Sequence, residues 1–581
     1  MPKPETFTPL TVQEIARRAL AASAGVAPGD VPDELTRAVA TGQGGREKVA
    51  RLTRSLGPEV GFDLVRFDTD RIASFVFESS RPPVIAGASK ILRALNSGIG
   101  HVFVDWTLLS GGGEGLLLAP RGQGAEICRW IERAYQRASA GALGVTTAWT
   151  AARPEDFLPA PGGEGENEPC DGVRIVSGTP ALLSLLHDKI RKEKNERLNP
   201  RATVGGTQPR CRSCRDREAG KTTLQSLGRP EERGAVCAPC ERRWREGRGE
   251  IKGVSFEELI SHWTDTYPES SRKGSYLGFL YADGNGMGAL FGKLQSLAEL
   301  QTLSREVTAC FEGLRARVRE EVGKALPEEV RDQPKTMFLD LLAGGDEVIW
   351  ILPAALAVHV AERLEEWLAA EVAARSGLAE LLSQQGRKRL SIGIGLALCG
   401  LGYPVRYQYQ LAKALQKHAK DRTYASSMDE STIDFELLTD SSPLSQDFKD
   451  LRELFTKTQE KDFIRTCRPY DCRELTALRR QIEAAVDNDL AISQLYGLAA
   501  GSQEGRLPFL NLLRYQIARK PAGERYQAWL RQCGVDPADP VAIEQFFVRA
   551  RGRDTALWIQ DALDLLPFLE GVRARQADRR H

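Results

Sequence analysis

The sequence predicts an α+β protein with two ferredoxin-like units, a metal-held module between them and a helical domain after the second. Three observations predict it. The order strand, helix, glycine hairpin, helix, strand occurs twice, over residues 61–158 and 274–438, and that order folds into an antiparallel sheet with helices on one face. Two Cys-x-x-Cys pairs lie between the copies. Residues 439–581 carry helical periodicity almost throughout.

Residues 1–60 form a short helical segment. Thr11 caps a helix that runs to about Ala22, and Glu34–Ala40 and Glu47–Leu56 suggest two more. The first unit, 61–158, opens with the strand Leu64–Asp70, which ends in acids. A helix, Val84–Leu95, follows. The alternation in His101–Trp106 predicts a strand, the turn Ser110–Gly115 reverses it, and Leu116–Leu118 returns. A helix over Ala125–Arg137 and a strand over Gly144–Thr150 close the unit. Residues 151–172, rich in Pro, Gly and Glu, read as a linker, and an amphipathic helix covers Pro180–Lys194.

The segment 159–273 holds Cys211, Cys214, Cys237 and Cys240, the two pairs separated by 22 residues. That spacing suits one tetrahedral Zn²⁺ held by four thiolates, a closed and therefore structural site. The other seven cysteines show no ligand spacing. Residues 191–250 also carry 16 Lys/Arg against 9 Asp/Glu, a surplus that suits either a nucleic-acid-facing surface or a solvated arginine face.

The second unit, 274–438, starts with the strand Tyr276–Ala282 and continues with a long helical stretch, Gly288–Val322. The strand Met337–Leu342 enters the turn Gly344-Gly345-Asp346-Glu347, and Val348–Leu352 leaves it. Helices over Ala354–Ala374 and Val405–Lys420 flank the strand Leu390–Leu398. The last domain, 439–581, is expected to be a bundle, with helices at 444–458, 472–486, 490–500, 507–519, 523–532, 542–549 and 555–571.

Whole-chain composition narrows little more. The formal net charge of +1 singles out no partner. No apolar run approaches the ~20 residues of a membrane span, and no membrane partner is expected. The N-terminal residues lack an apolar signal core, and an odd cysteine count with two paired motifs favours a reducing, cytoplasmic location.

The chemistry concentrates at two motifs. Tyr281-Ala282-Asp283-Gly284-Asn285-Gly286-Met287-Gly288 ends the first strand of the second unit, and Asp346 follows Asp283 by 63 residues. On adjacent strands Asp283 and Asp346 converge at one sheet edge. Converging carboxylates call for a cation, and hard oxygen ligands suit two Mg²⁺ or Mn²⁺ ions. Such a pair neutralises a leaving pyrophosphate and activates an attacking hydroxyl. Backbone N–H groups over Gly284, Asn285, Gly286 and Gly288 can cradle phosphates. Lys413, Lys417 and Lys420 lie where one can neutralise a triphosphate, with Lys420 preferred.

These motifs resemble the palm of GGDEF-type nucleotide cyclases. Their order along the chain resembles the large polymerase/cyclase subunit of type III CRISPR effector complexes. A first palm begins Phe67-Asp68-Thr69-Asp70-Arg71-Ile72, a four-cysteine module separates it from the palm with Gly344-Gly345-Asp346-Glu347, and a helical domain closes the chain. The resemblance implies a synthase of cyclic oligoadenylate second messengers that uses ATP, is activated by target RNA and serves antiviral defence. It implies partners: other subunits of the effector complex, guide RNA and target RNA. Asp283 and Asp346 would hold the metals, with Glu347 in support; relatives often carry Asp at that place. Gly344, Gly345, Lys420 and, from the first palm, Ser110, Gly112 and Glu114 would border nucleotide, with Asp68 a weaker candidate. Many relatives also carry an HD nuclease. The one His-Asp dipeptide, His187-Asp188, lacks companion ligands, so no DNA cleavage is expected. Two alternatives stand beside this reading: a catalytically inactive scaffold of an RNA-guided complex, and a diguanylate cyclase using GTP.

Overall fold

The computed structural model describes residues 10–159, 178–196, 209–227, 232–248, 276–325, 338–439, 448–551 and 554–569. The three N-terminal helices form as expected: α1 (Val12–Ala24), α2 (Asp33–Thr41) and α3 (Arg46–Leu56). Thr11 and Glu14 close a reciprocal capping box on α1, which satisfies two otherwise orphaned N–H groups. The buried stripe Ile15, Ala16, Ala19, Leu20 merges with the core of the first sheet.

That sheet uses β1 (Phe62–Asp70), β2 (Thr107–Gly111), β3 (Glu114–Pro120) and β4 (Gly144–Ala152) in the order β2-β3-β1-β4, with every pair antiparallel. Helices α4 (Ile72–Val76), α5 (Pro82–Val102) and α6 (Gly124–Ser139) complete a ferredoxin-like palm. One element departs from the sequence reading. His101–Trp106 is not a strand: α5 runs on to Val102, the Phe103 N–H still bonds to the Ile99 carbonyl, and the strand begins at Thr107. Leu92, Leu95, Asn96 and Ile99 extend the buried stripe of α5, and that packing overrides the local alternation.

The cysteine module leans on this palm. Helix α7 (Gly178–Glu196) packs on β4 and β1, and α8 (Ala238–Gly247) crosses α5. The crossing is backbone against backbone: a Cβ on Gly87 would stand 1.8 Å from the Arg243 carbonyl oxygen, and one on Gly247 1.8 Å from that of Pro83. Within the expected linker, β4 continues to Ala152 and Phe157 packs edge-on against Phe62, with ring centroids 5.7 Å apart; residues 160–177 lie outside the described residues.

The second palm repeats the order with β5 (Tyr276–Gly284), β6 (Leu339–Gly344), β7 (Glu347–Pro353) and β8 (Ile392–Gly400). Its single expected helix after β5 is two, α9 (Met287–Gly292) and α10 (Leu297–Ala325). Next come helices α11 (Ala354–Ala373), α12 (Ser376–Gln384) and α13 (Val405–Ala425), α12 being unforeseen. The sheet extends past β8 through β9 (Thr432–Leu438), which runs parallel to it. Strand β8 is buried along nearly its whole length, as a central strand with both faces covered must be.

The C-terminal region is helical with a small sheet. It contains α14 (Phe448–Thr456), β10 (Phe463–Ile464), β11 (Tyr470–Asp471), α15 (Cys472–Asp487), α16 (Ile492–Gly501), α17 (Arg506–Ala518), α18 (Ala522–Gln532), α19 (Pro540–Phe547), β12 (Val548–Arg551), β13 (Asp554–Leu557) and α20 (Ile559–Leu565). The helices expected over 542–549 and 555–571 are therefore interrupted. The Thr555 N–H donates to the Asp462 carbonyl at 2.8 Å and β13 pairs with both β12 and β10. Phe547 stacks on Trp558 at 5.4 Å, which pins the hairpin to the bundle. Strand β11 pairs with β9, so the second palm's sheet reads β11-β9-β8-β5-β7-β6.

Candidate functional site

The hairpin β6–β7 closes on Gly345 and Asp346, with Gly344 paired to Glu347. Gly345 has φ +65, a conformation that glycine adopts without the Cβ penalty other residues meet. Strand β5 lies beside β7 in a register that sets Asp283 opposite Glu347. The Gly284 N–H donates to the Asp346 carbonyl at 3.0 Å, and a Cβ on Gly284 would stand 2.9 Å from Asp346 Oδ2. The glycine thus makes room for the carboxylate. Burial, together with the charge and hydrogen bonding of Asp283, pushes the Asp346 carboxyl up to about 8. The strand register brings the two carboxylates to one sheet edge, and the surplus negative charge is what a divalent cation relieves. Magnesium or manganese fits this donor set.

Glu347 behaves differently. The Tyr281 hydroxyl donates to Glu347 Oε1, and burial pushes the Glu347 carboxyl up. Among the described residues the only groups of three or more ligand atoms within 4.8 Å of one another are the cysteines, so Glu347 is not gathered with Asp283 and Asp346.

Helix α13 supplies the other wall. Tyr409, Lys413, Gln416 and Lys420 succeed one another at helical spacing along one face. Lys420 Nζ donates to Asp283 Oδ2 at 2.6 Å and to the Gly284 carbonyl at 2.7 Å, and Gln416 Nε2 reaches Asp283 Oδ2 at 3.3 Å. A Cβ on Gly393 of β8 would stand 2.6 Å from Lys420 Cγ, so that glycine lets the lysine cross the sheet. Lys417 is exposed, off this face. Sequence reasoning missed Gln416, Gly393 and Tyr409; the helical spacing back from Lys420 was the signal for Gln416 and Tyr409.

The two palms meet here. Phe77, from the loop after α4, stacks on Tyr409 with centroids 4.5 Å apart and tilts against Phe279 at 5.5 Å. Beside this stack a cavity of about 250 Å³ opens between Thr69, Arg71 and Ile72 of the first palm and Glu347, Tyr409 and Lys413 of the second.

Residues 276–428 match the family model described as Cas10/Cmr2, second palm domain. The second palm is Cas10-like. Solved structures extend the likeness of fold beyond it. A Csm1–Csm4 cassette in complex with cA3 superposes with TM-score 0.52 and 13% identity over 95% of this chain and 72% of that one. The cassette in complex with pppApApA gives TM-score 0.50 and 13% identity over the same shares. A Csm1 of T. onnurineus gives 0.48 and 15%, over 91% and 73%. No curated protein matches the chain.

In the Cas10-like palm the loop after Asp283 is less open than its glycines suggest. Two of its amides are engaged, Gly284 by Asp346 and Asn285 by the Ser391 carbonyl at 2.8 Å. The Asn285 side chain is buried and donates to Ser391 Oγ at 2.9 Å; it holds the loop rather than facing the cavity. Gly286 is left-handed at φ +66, with Met428 where a side chain would go, and Gly288 is exposed. Residues proposed from the first palm are tied within their own unit. Ser110 Oγ donates to the Asn96 carbonyl at 2.9 Å, Glu114 pairs with Arg66 at 3.0 Å, and Gly112 turns the hairpin at φ +63. Asp68, pushed up by burial, is neutralised by Lys194 at 2.6 Å. Thr69, Arg71 and Ile72 border the cavity in their place.

The four cysteines converge, with Cys211, Cys214, Cys237 and Cys240 placing sulfurs within 4.8 Å of one another, all buried. N–H donors surround them as thiolates require. The Cys237 amide reaches Cys211 Sγ at 3.2 Å, and Arg243 Nη2 reaches Cys240 Sγ at 3.2 Å. One zinc ion suits this set.

Proposed function

We propose that this chain is the polymerase/cyclase subunit of a type III CRISPR effector complex and joins ATP into cyclic oligoadenylate when target RNA is bound. The observation that carries the reading is the convergence of Asp283 and Asp346, served by Lys420, at the edge of a Cas10-like palm that faces a second palm across a cavity. Relatives of the same fold were solved with cA3 and with pppApApA, which supports adenylate as the substrate class.

In this reading the 3′-hydroxyl of one ATP attacks the α-phosphorus of another. An O–P bond forms, the bond to pyrophosphate breaks, and repetition with closure yields the ring. Magnesium or manganese held by Asp283 and Asp346 would supply charge neutralisation on the triphosphate and acidify the attacking hydroxyl. Lys420, whose ammonium stands against Asp283, would neutralise phosphate charge. The Phe77–Tyr409 stack lines the cavity, and Arg71 and Lys413 stand on opposite palms where two nucleotides' phosphates would meet. Glu347, held by Tyr281, borders nucleotide rather than metal. Guide RNA, target RNA and partner subunits belong to the same proposal, as does zinc in the cysteine module.

The test is a product assay. ATP with Mn²⁺, with and without a target RNA on the guide complex, should give cyclic oligoadenylate by mass spectrometry. Asp346→Ala should abolish it while leaving assembly intact. No product under any condition favours the inactive scaffold, and cyclic di-GMP from GTP would overturn the proposal in favour of a diguanylate cyclase.

A further inference from the structure

The basic surplus of residues 191–250 has no part in the nucleotide site, and the fold divides it into two sets. The inner set anchors. Arg243 is buried, donating to the Phe75 carbonyl at 2.5 Å and to Glu78 at 2.6 Å, and Arg217 donates to Glu78 at 2.7 Å. On α8, Arg242 pairs with Glu246 and Arg245 with Glu241. The outer set has nothing of the kind. Arg212, Arg215, Lys221 and Arg233 are exposed and, among the described residues, have no carboxylate partner.

Three of these cations share one edge of the metal module. Arg212 and Arg215 belong to the Cys211–Cys214 knuckle. The Arg212 amide donates to the Ala235 carbonyl at 3.0 Å. A Cβ on Gly234 would stand 2.4 Å from Arg212 Cγ, so Arg212 lies over Gly234, the chain neighbour of Arg233. Arg210 reaches the Arg215 carbonyl at 3.4 Å. Among the described residues the acids next to these positions are Asp216, Glu218, which is opposite Arg210 in a β-bridge, and Glu232, which pairs with Arg81. Arg215 is held at φ +63 in the knuckle, a conformation that a non-glycine residue keeps only where the surroundings over-determine it. Backbone that is already fixed loses little entropy when an anion docks on its arginines, and the guanidinium fork matches phosphate oxygens.

We propose that this outer edge binds the phosphodiester backbone of a single-stranded nucleic acid, through Arg212, Arg215 and Arg233. That the strand is RNA rests on the function proposed above; the charge and geometry argue only for the backbone.

The experiment is fluorescence anisotropy on the metal-loaded full chain with labelled oligouridylate, and with oligothymidylate of equal length as the DNA arm. Replacing Arg212, Arg215 and Arg233 by Gln together should weaken binding at least ~10-fold. It should also flatten the dependence of log affinity on log salt by about 2, near 0.7 for each phosphate no longer neutralised. Lys at the same three positions should restore most of the affinity. Zinc content checks that the module is intact, and if the triple variant loses metal, Arg233→Gln alone, outside the knuckle, is read instead. A wild-type chain that binds neither polymer, or a zinc-loaded variant that keeps affinity and salt slope, overturns the site. Tighter binding of the DNA overturns the assignment to RNA. The product assay is read on the wild-type chain with target RNA on the guide complex: RNA binding that needs the three arginines, with no product, sinks the cyclase alone, whereas product from a chain whose RNA binding ignores the three arginines sinks the site alone.

Discussion

Burial and the charge of Asp283 push the Asp346 carboxyl up to about 8, so a proton or a cation there relieves the acidic pair. Unfolded, that carboxyl titrates near 3.8. Between those values the folded chain holds the proton and the unfolded chain has released it, so this group's contribution to stability falls as pH rises from about 4 to about 8 and is level above. A divalent ion competes with that proton. Mn²⁺ at a hundred times its dissociation constant should stabilise the chain by about 2.7 kcal/mol above pH ~8, and by clearly less near pH ~5. Asp346→Asn should remove the difference. Thermal melts with and without Mn²⁺ measure it, and equal shifts at both pH values would refute a metal at Asp346. The carboxylate pair was legible because its signals are local: a glycine turn, two acids and an apolar strand on either side. The turning of Glu347 to Tyr281 was not, since it depends on strand register, and neither was the burial of Asn285 against Ser391, a partner 106 residues away.

At the scale of elements, the cysteine module is joined to the first palm by glycines and arginines rather than by a thick apolar layer. Its core is the small cluster of Val84, Leu224, Leu227, Val236 and Trp244 around the four cysteines. Cys211→Ser should therefore empty the site and unravel the module, forfeiting metal-linked ordering on the order of 10 kcal/mol. Zinc content with limited proteolysis over residues 209–248 measures this; full protection in a metal-free variant would mean that the fold does not need the ion. Arg217 and Arg243 hold Glu78, and Phe77 is its neighbour, so the same variant should also disturb the Phe77–Tyr409 stack. Periodicity found most helices and both glycine hairpins. It failed at His101–Trp106 and at β12–β13, where a helix packing stripe and a strand partner from distant residues decide the outcome.

For the whole molecule, the repeated order of elements was visible in the sequence and gave the two palms. That they face each other followed only from the family resemblance, because the contact itself is made by Phe77, Phe279 and Tyr409, three aromatic residues with no motif around them. The second palm is similarly continuous with the C-terminal region. Asp434, fully buried on β9, is paired with Arg452 at 2.6 Å, and buried Arg468 meets Asp561 at 2.9 Å and Asp564 at 3.0 Å.

The pairing of β11 with β9 has a practical meaning for anyone dividing the chain. Cutting after Leu438 would strip the backbone cover from Thr432 and Ile433 and leave buried Asp434 with His418, 2.7 Å away, but without Arg452. Losing the guanidinium from a buried carboxylate is destabilising even with an imidazole left beside it, and a bare apolar strand edge invites another copy to add to it. Residues 276–438 expressed alone should thus collect in the insoluble fraction, whereas 276–569 should stay in solution as a monomer by light scattering. A soluble, monomeric 276–438 fragment would show that the sheet tolerates an open edge.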